Sequence, residues 1–343
     1  LNYYHSLCNR FQQIKHIPFY NSLSDNVVSC IVEDKKNNLW IGTSDGGLNY
    51  YDNASQLYKN YLFNSGNLDV PFKDIKTVYV DEVQDRIYVG AHAGGMMVLH
   101  RKSGYIEYYN RHNSNLPSNN IYSIISDGYG GLWVASLEYL LHFDIDKRNF
   151  TIVDVDEDGH KLQQYNRLLF CDSKKRIWAG GEMGISVFNQ VGTSLLPNTD
   201  FQIASVLKQA FVNCFYETSS GYLWIGTRNG LFALKESDKQ FLQYTTENGL
   251  PSNVIYGILE DAYGRLWIST NQGLSCLNPE SGKFRNFTIM DGLQGNQFNA
   301  GAYCRKDNGY MLFGGVNGIT SFRPETLIDN PYAPKPVINK LFV

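Results

Sequence analysis

The sequence predicts an all-β protein, a seven-bladed β-propeller built from four-stranded antiparallel blades. The first observation is a phrase centred on Trp40 that returns about every 45 residues, a period typical of propeller blades. Its copies place one residue at the same point of each repeat: Trp40, Tyr88, Trp133, Trp178, Trp224, Trp267 and Leu312. The second is that short aromatic and β-branched runs alternate with Gly-, Pro- and Asn-rich turns. The third is that no stretch shows the period of a long helix.

One repeat, residues 250–288, shows the four predicted strands of a blade. LPSNVIYGILED leads from a turn into an apolar strand in which Val254, Tyr256 and Ile258 alternate. RLWIST and LSCLNP form the second and third strands around an NQG turn, and FRNFTI alternates as a half-exposed fourth strand. Each first strand should lie nearest the axis and each fourth at the rim. Residues 191–210 match the repeat least, and there we expect a longer inter-blade loop with room for one helical turn.

The repeated Trp and Gly residues have structural explanations. A Trp that recurs with the fold is predicted to pack between blades rather than to offer a platform for sugars. Glycines predicted to avoid crowding the neighbouring blade are Gly42, Gly90, Gly226 and Gly314. Glycines predicted to supply a positive φ between second and third strands are Gly46 or Gly47, Gly184, Gly230, Gly273 and Gly318. The repeat around Trp133 has Ala135 and Tyr139 at these positions, so we expect its hairpin to differ in shape and to be a first place to look for function.

The two ends of the chain are predicted to complete one blade. Residues 1–17 resemble 48–62, so the chain opens on the third and fourth strands of a blade, whereas the last repeat (293–322) has only three strands. Ring closure by 1–17 as outer strands of the last blade would hide two open edges. An eight-bladed ring would need half a blade that the sequence lacks. The propeller is therefore expected over 1–330, and residues 331–343 as a linker and the first strand of a following β-sandwich domain.

Composition disfavours several kinds of partner and cofactor. The net charge is −3 with 18% charged residues, which predicts neither a nucleic-acid surface nor a polybasic membrane patch. No apolar run approaches the roughly 20 residues of a membrane helix. The six cysteines are single and lack CxxC pairs, which predicts small buried side chains rather than a metal site. We therefore expect no metal, no cofactor and no direct membrane insertion.

Catalytic motifs are also missing from the sequence. There is no GxSxG, HExxH or phosphate-binding Gly loop. DGYGGLW and DAYGRLW are similar to the Asp-box of sialidase propellers, but they fall in first-to-second-strand turns that need Asp and Gly anyway. The acidic run at 154–160 lacks EF-hand spacing and predicts a solvated loop. The sequence favours a non-enzymatic fragment, although Asp45, Glu138 and Glu182 could converge, which leaves a propeller-fold hydrolase or lyase as an alternative.

Divergent residues at the tips of the hairpins between second and third strands predict a ligand-binding face. These tips share one face with the loops that link successive blades, and recognition on a rigid frame is commonly carried by such loops. The candidate residues are Asp45, His92, Glu138, Glu182, Arg228, Asn271 and Asn317. For a sugar we expect their charged and amide groups to hydrogen-bond, with Tyr139 stacking on a ring. Unconstrained surface turns diverge as well, so a purely structural role remains open.

The repeats resemble the two-component regulator propeller family. LPSNNIYSIISDGYGGLWVAS (116–136) and LPSNVIYGILEDAYGRLWIST (250–270) match its pattern almost throughout, and 334–343 resembles the start of the Tyr-rich immunoglobulin-like domain that follows such propellers. The resemblance implies the periplasmic sensor region of a hybrid two-component system, of the kind typical of Bacteroides-like gut bacteria. The full-length protein would then be a histidine kinase, with the output chemistry outside this fragment.

The same resemblance implies a ligand and neighbours for the fragment. Tandem propellers of this family sense oligosaccharides released from glycans and regulate polysaccharide-utilisation genes. An upstream propeller, a downstream immunoglobulin-like domain and a second copy in a homodimer are therefore the implied partners. An alternative is a structural or dimerisation propeller, with the ligand bound mainly by the upstream one.

Overall fold

The computed structural model describes residues 10–61, 72–136, 138–153, 166–198, 207–235 and 240–327. Within them lie seven sheets, each of four strands in antiparallel order, which confirms the predicted seven-bladed propeller. Two of the sequence predictions fall outside the described residues: the solvated acidic loop at 154–160 and the start of a following domain at 331–343.

Consecutive strands pair within each blade, and the blades follow one another in chain order. The first strand among the described residues, Gln12–Ile14 (β1), is the exception and belongs to blade 7. Blade 1 comprises Val28–Glu33 (β2), Leu39–Thr43 (β3), Leu48–Asp52 (β4) and Leu57–Tyr61 (β5). Blade 2 comprises Ile75–Asp81 (β6), Arg86–Ala91 (β7), Gly95–His100 (β8) and Ile106–Tyr109 (β9). Blade 3 comprises Ile121–Ser126 (β10), Leu132–Ser136 (β11), Leu140–Asp144 (β12) and Asn149–Ile152 (β13).

The remaining blades repeat this plan. Blade 4 comprises Asn166–Cys171 (β14), Arg176–Gly181 (β15), Gly184–Val191 (β16) and Ser194–Pro197 (β17). Blade 5 comprises Val212–Glu217 (β18), Leu223–Thr227 (β19), Gly230–Lys235 (β20) and Gln240–Tyr244 (β21). Blade 6 comprises Ile255–Glu260 (β22), Leu266–Thr270 (β23), Gly273–Asn278 (β24) and Lys283–Phe287 (β25). Blade 7 comprises Phe298–Arg305 (β26), Met311–Gly315 (β27), Gly318–Phe322 (β28) and β1.

Helices are few in the part of the chain that the structure describes. Short 3₁₀ turns lie at Thr246–Asn248, Ile289–Asp291 and Pro324–Thr326. Within the described ranges, no helix has both the length and the apolar character needed to cross a membrane.

The first strands of the seven blades lie side by side around the central axis, as expected. Each of β2, β6, β10, β14, β18, β22 and β26 contacts the first strand of the next blade, and β26 contacts β2 to complete the ring. The repeated Trp lies on the second strand and is buried in every blade that has one. Trp267, for example, stacks on Phe287 of its own blade at 5.6 Å and meets Phe322 of blade 7 at 4.7 Å between ring centroids. The Trp residues therefore pack between blades, as predicted.

Glycine permits the close approach of neighbouring blades. A Cβ added to Gly42 would lie 2.6 Å from a methyl carbon of Ile75 in blade 2, a distance that real Cβ atoms do not show. The equivalent contacts are Gly90 with Ile121, Gly226 with Ile255 and Gly314 with Val28. The predicted hairpin glycines also have positive φ, with Gly47 rather than Gly46 in that conformation.

The blade 3 hairpin departs from the others, as expected. Ser136 N donates to Tyr139 O at 2.9 Å, so the turn closes over the usual number of residues. Gly230, the equivalent of Tyr139 in blade 5, has a φ of 123°, whereas Tyr139 is not among the residues with positive φ. A side chain at this position therefore requires a different turn conformation.

The prediction of a long loop over 191–210 is partly wrong. Ser194–Pro197 forms the outer strand of blade 4, and its Leu195 pairs with Gln190. The turn between the two strands contains Gly192, which has a φ of 59°. The segment lacks the aromatic pattern of the other outer strands, which hid the strand in the sequence. Residues 199–206 lie outside the described part of the chain.

The N-terminal segment closes the ring, as the sequence predicts. β1 pairs with β28 over Gln12–Ser321, Gln13–Thr320 and Ile14–Ile319. Phe11 is buried beside this strand, 5.3 Å from Phe287 and 5.0 Å from Phe322 between ring centroids. Joining the two ends of the chain in one sheet removes an exposed strand edge from blade 7.

Replacing Phe11 with Ala should lower the free energy of unfolding by about 3–5 kcal/mol, because it empties an aromatic site in the closing blade. Urea unfolding followed by fluorescence measures the change. Phe19 lies in the same segment but is fully exposed, so Phe19→Ala is the matched control and should change stability by less than about 0.5 kcal/mol. Equal effects of the two substitutions would show that closure does not depend on Phe11.

Candidate functional site

A β-bulge at the start of every first strand sets the geometry of the axial opening. In blade 3, Ile121 pairs with Ser136 and Ser123 pairs with Ala135, so Tyr122 is left without a partner in the ladder. The same one-residue shift occurs at the start of the first strand in blades 1 to 6. In blade 7 the irregularity is longer: Phe298 pairs with Gly315 and the next pair is Tyr303 with Phe313, so residues 299–302 are left out of the ladder and Asn299 takes the bulge position. A bulge re-aims the extra residue, which is why such irregularities are common beside functional sites.

The bulge residues of all seven blades line one cavity of about 320 Å³. We call this cavity the axial mouth; Phe211 and Arg228 also line it. Its seven bulge residues are Ser29, Lys76, Tyr122, Arg167, Asn213, Tyr256 and Asn299. First strands begin at the end of the blade where second strands finish, so the mouth opens on the face that carries the predicted hairpin tips.

Three of the bulge residues connect adjacent blades through hydrogen bonds. Asn213 Nδ2 donates to Ile255 O at 2.8 Å, and Asn299 Nδ2 donates to Val28 O at 2.8 Å. Ser29 Oγ donates in the same way to Ile75 O. These bonds connect the bulge of one blade to the first strand of the next and so stabilise the shape of the mouth.

Other bulge residues bring charge and aromatic surface into the mouth. Lys76 pairs with Asp74 at 2.7 Å, and Arg167 pairs with Glu182 at 2.5 Å. The guanidinium of Arg167 lies 4.8 Å from the ring centroid of Tyr122, within cation–π distance. Cations, phenol hydroxyls and aromatic faces thus converge on one opening, which suits a polar ligand with some apolar surface.

Two of the residues predicted from the hairpin tips belong to the mouth or contact it. Arg228 lines the cavity and lies 3.6 Å from the centroid of Phe211. Glu182 does not line the cavity but binds Arg167, which does.

The remaining predicted residues lie at the tips, away from the cavity lining. Asp45 is exposed and pairs with Lys73 at 2.5 Å, and His92 Nδ1 lies 3.6 Å from a carboxylate oxygen of Asp74. Asn317 Nδ2 donates to Gln294 O at 2.8 Å. The exposed residue Glu138 and the half-buried residues Tyr139 and Asn271 complete the set. Tyr139 packs against the core between blades 2 and 3. A ligand-binding role for these residues stays a prediction.

The three carboxylates considered for catalysis are not paired with one another in the contacts that the structure describes. Asp45 forms an ion pair with Lys73 and Glu182 with Arg167, and Glu138 is exposed. Across the described ranges, no group of three or more His, Cys, Asp or Glu side chains is arranged to hold a metal ion. Burial raises the pKa of the Cys30 and Cys304 thiols to about 12, so both stay protonated at neutral pH, whereas a nucleophilic cysteine acts as its thiolate.

The Asp of the DAYGRLW turn has a structural role on the opposite face. One carboxylate oxygen of Asp261 accepts from the backbone of Tyr263 and Arg265 at 2.9 and 3.0 Å. The other accepts from Trp267 Nε1 at 3.0 Å and from Arg265 Nε at 2.7 Å. Asp172 bonds Trp178 in the same way in blade 4. The predicted turn role is confirmed for Asp261 and for Asp127 of DGYGGLW, which accepts from Tyr129 N and Gly131 N at 2.7 and 2.8 Å. Asp261 and Asp172 each also orient the buried Trp of their blade, whereas the second oxygen of Asp127 lies 2.8 Å from His142 Nε2.

A second cavity of about 330 Å³ lies on this opposite face, between blades 5 and 6. Tyr222, Tyr244 and Tyr263 line it together with Glu260. The Glu260 carboxylate accepts from both the backbone N and the Oγ of Ser219 at 2.9 Å. This acid therefore joins blades 5 and 6 at the edge of the cavity.

Comparison with known proteins agrees with the repeat pattern. The family model of the two-component regulator propeller matches residues 22–45, 115–138, 207–229 and 249–272. These four segments are similar to two-component regulator propeller repeats. The family resemblance of the sequence is therefore confirmed, and the four matches fall in blades 1, 3, 5 and 6.

Individual relatives of these propeller repeats are distant. The chain is 26% identical over 331 residues to histidine kinase P4 of Formosa agariphila, which covers 92% of this chain and 24% of that protein. The extracellular domain of BT3049, described as a hybrid two-component system of B. thetaiotaomicron, has a TM-score of 0.70 at 21% identity, over 90% of this chain and 41% of that one. Virginiamycin B lyase from Staphylococcus aureus has a TM-score of 0.68 at 13% identity, over 91% and 98%. The chain thus spans about a quarter of the length of the kinase that it matches.

Replacing Asp261 with Ala should lower the free energy of unfolding by at least about 2 kcal/mol, because it leaves a buried indole N–H and two turn N–H groups unpaired. Asp45→Ala is the matched control at an exposed ion pair and should cost at most about 1 kcal/mol. Thermal and urea unfolding of both variants measure the difference. If Asp45→Ala lowered the free energy of unfolding as much as Asp261→Ala, Asp261 would not have the special structural role assigned to it here.

Proposed function

We propose that this chain is an extracytoplasmic sensor propeller of a hybrid two-component signalling protein, located in the periplasm. Two observations support the proposal: the regulator propeller repeats and the match to a histidine kinase over nearly the whole chain. An upstream propeller, a downstream immunoglobulin-like domain and a second copy in a homodimer are the neighbours that we propose for it. The kinase chemistry then lies in other parts of the full-length protein.

We further propose that the axial mouth contributes to recognition of a glycan-derived oligosaccharide and so to regulation of polysaccharide-utilisation genes. The observation that carries this proposal is the convergence of one bulge residue from each of seven blades on a single cavity. Tyr122 and Tyr256 offer ring faces and hydroxyls, and Lys76 and Arg167 offer hydrogen-bond donors. Sugars need both, because each ring has an apolar face and a polar edge.

Two other functions deserve comparison with this one. A structural or dimerisation propeller would leave ligand binding to the upstream propeller, and its axial mouth would be unused. A hydrolase or lyase is the other candidate, and virginiamycin B lyase shows that a similar fold belongs to an enzyme. Fold alone does not carry function, however, and Asp45 and Glu182 each pair with a basic side chain rather than with each other.

Replacing Tyr122 with Ala should weaken binding of an activating oligosaccharide about ten-fold, since it removes a stacking surface from the mouth. Calorimetric titration of a glycan-oligosaccharide panel into the isolated chain measures this effect. Tyr263→Ala is the matched control, because Tyr263 is an exposed tyrosine of the opposite face and its loss should leave affinity unchanged.

The panel also separates the alternative functions. Binding seen only when the upstream propeller is attached would assign this propeller the structural role instead. New reducing ends or unsaturated products after incubation with the glycans would establish an enzyme. Equal loss of affinity in the Tyr122 and Tyr263 variants would remove the axial mouth as the site.

A further inference from the structure

The charge of the axial mouth differs from that of the whole chain. The sequence contains 33 acidic and 30 basic residues, a slight excess of negative charge. Lys76, Arg167 and Arg228 line the mouth, whereas no Asp or Glu is among the described residues that line it. The two acids that pair with Lys76 and Arg167 lie outside the lining, so cations alone face the space where a ligand would enter.

Arg228 is the cation with most freedom to bind an added anion. Its side chain is exposed, and within the described ranges no carboxylate lies at ion-pair distance from it. Its guanidinium rests 3.6 Å from the centroid of Phe211, and its backbone N donates to Phe211 O at 3.0 Å. Stacking holds the plane of an arginine while leaving its N–H edge available, and this edge matches carboxylate and sulfate oxygens.

Arg167 lies against the same aromatic ring. Its guanidinium carbon is 5.8 Å from the centroid of Phe211. One terminal nitrogen binds Glu182, but its Nε is buried and has no hydrogen-bond partner among the described residues. An unsatisfied buried donor favours a ligand that brings an acceptor. Two guanidinium groups that share one ring therefore define a small region of positive charge with unused donors.

We propose that the axial mouth selects an anionic oligosaccharide, a sugar chain carrying carboxylate or sulfate groups, and that Arg228 and Arg167 beside Phe211 bind the charged substituent. This inference rests on the proposed function and adds the substrate class to it. Tyr122 and Tyr256 contact the uncharged part of the sugar, and Arg228 distinguishes a charged ligand from a neutral one of the same length. An uncharged sugar would leave these guanidinium groups without their best partner.

Calorimetry on the whole chain tests the inference with three probes: tetragalacturonate for carboxylates, a sulfated carrageenan tetrasaccharide for sulfates, and neutral cellotetraose. We expect one of the charged probes to bind at least about ten-fold more tightly than the neutral one, since charge-assisted hydrogen bonds exceed neutral ones in strength. Raising the sodium chloride concentration should weaken that charged probe and leave the neutral one unchanged.

Arg228→Gln should weaken the bound charged probe about ten-fold or more and change cellotetraose binding by less than about two-fold. Arg228→Lys keeps the charge but loses the planar fork, so an intermediate loss is expected. Arg148→Gln removes an exposed arginine from the opposite face and is the matched control, which should bind like the unmodified chain. Circular dichroism verifies that each variant is folded.

The outcomes separate this inference from the proposed function. The anionic class would be overturned if cellotetraose bound as tightly as the charged probes. It would also be overturned if neither salt nor Arg228→Gln changed the affinity for the charged probe. Either result would still be compatible with a mouth that binds sugars. Failure of every saccharide in the wider panel to bind the folded chain would overturn the proposed function itself.

Discussion

The structure depends on one repeated contact, the close approach of each second strand to the first strand of the next blade. At Gly42 the missing side chain leaves room for Ile75, and the equivalent glycines of blades 2, 5 and 7 leave room for Ile121, Ile255 and Val28. Because a Cβ at these positions would collide with the neighbour, the contact sets the spacing between blades. It thereby determines how near the first strands come to the axis, and so the width of the opening that their bulge residues line.

The two faces of the propeller differ: one holds the blades together, and the other carries the axial mouth that we propose for recognition. On one face the turns after the first strands are held by buried Asp residues such as Asp261, and glutamates link the blades: Glu82 accepts from Lys35 N at 2.8 Å, and Glu33 accepts from Asp307 N at 2.7 Å. On the other face the bulges expose side chains that differ from blade to blade. Because the face that carries the Asp turns is rigid, the bulge residues of the other face can vary without loss of the fold.

The sequence predicted the frame well because Trp, Gly and turn residues recur at positions where packing tolerates little else. It also predicted ring closure by residues 1–17, of which Gln12–Ile14 forms the outer strand of blade 7. The sequence does not indicate the axial mouth, although Tyr256 is among the alternating residues of its strand. A strand that alternates strictly would bury Tyr256, but the bulge between Ile255 and Gly257 turns it towards the mouth. Alternation cannot reveal a register shift, whereas comparing the same repeat position across blades would have shown how varied these residues are.

Recognition at the axial mouth is tested most directly by a crystal structure of the chain with bound tetragalacturonate. We expect sugar density in the mouth, with a carboxylate at the Arg228 guanidinium and a ring against Tyr122. Density instead in the cavity between blades 5 and 6, against Tyr222 and Tyr263, with the mouth empty, would contradict it.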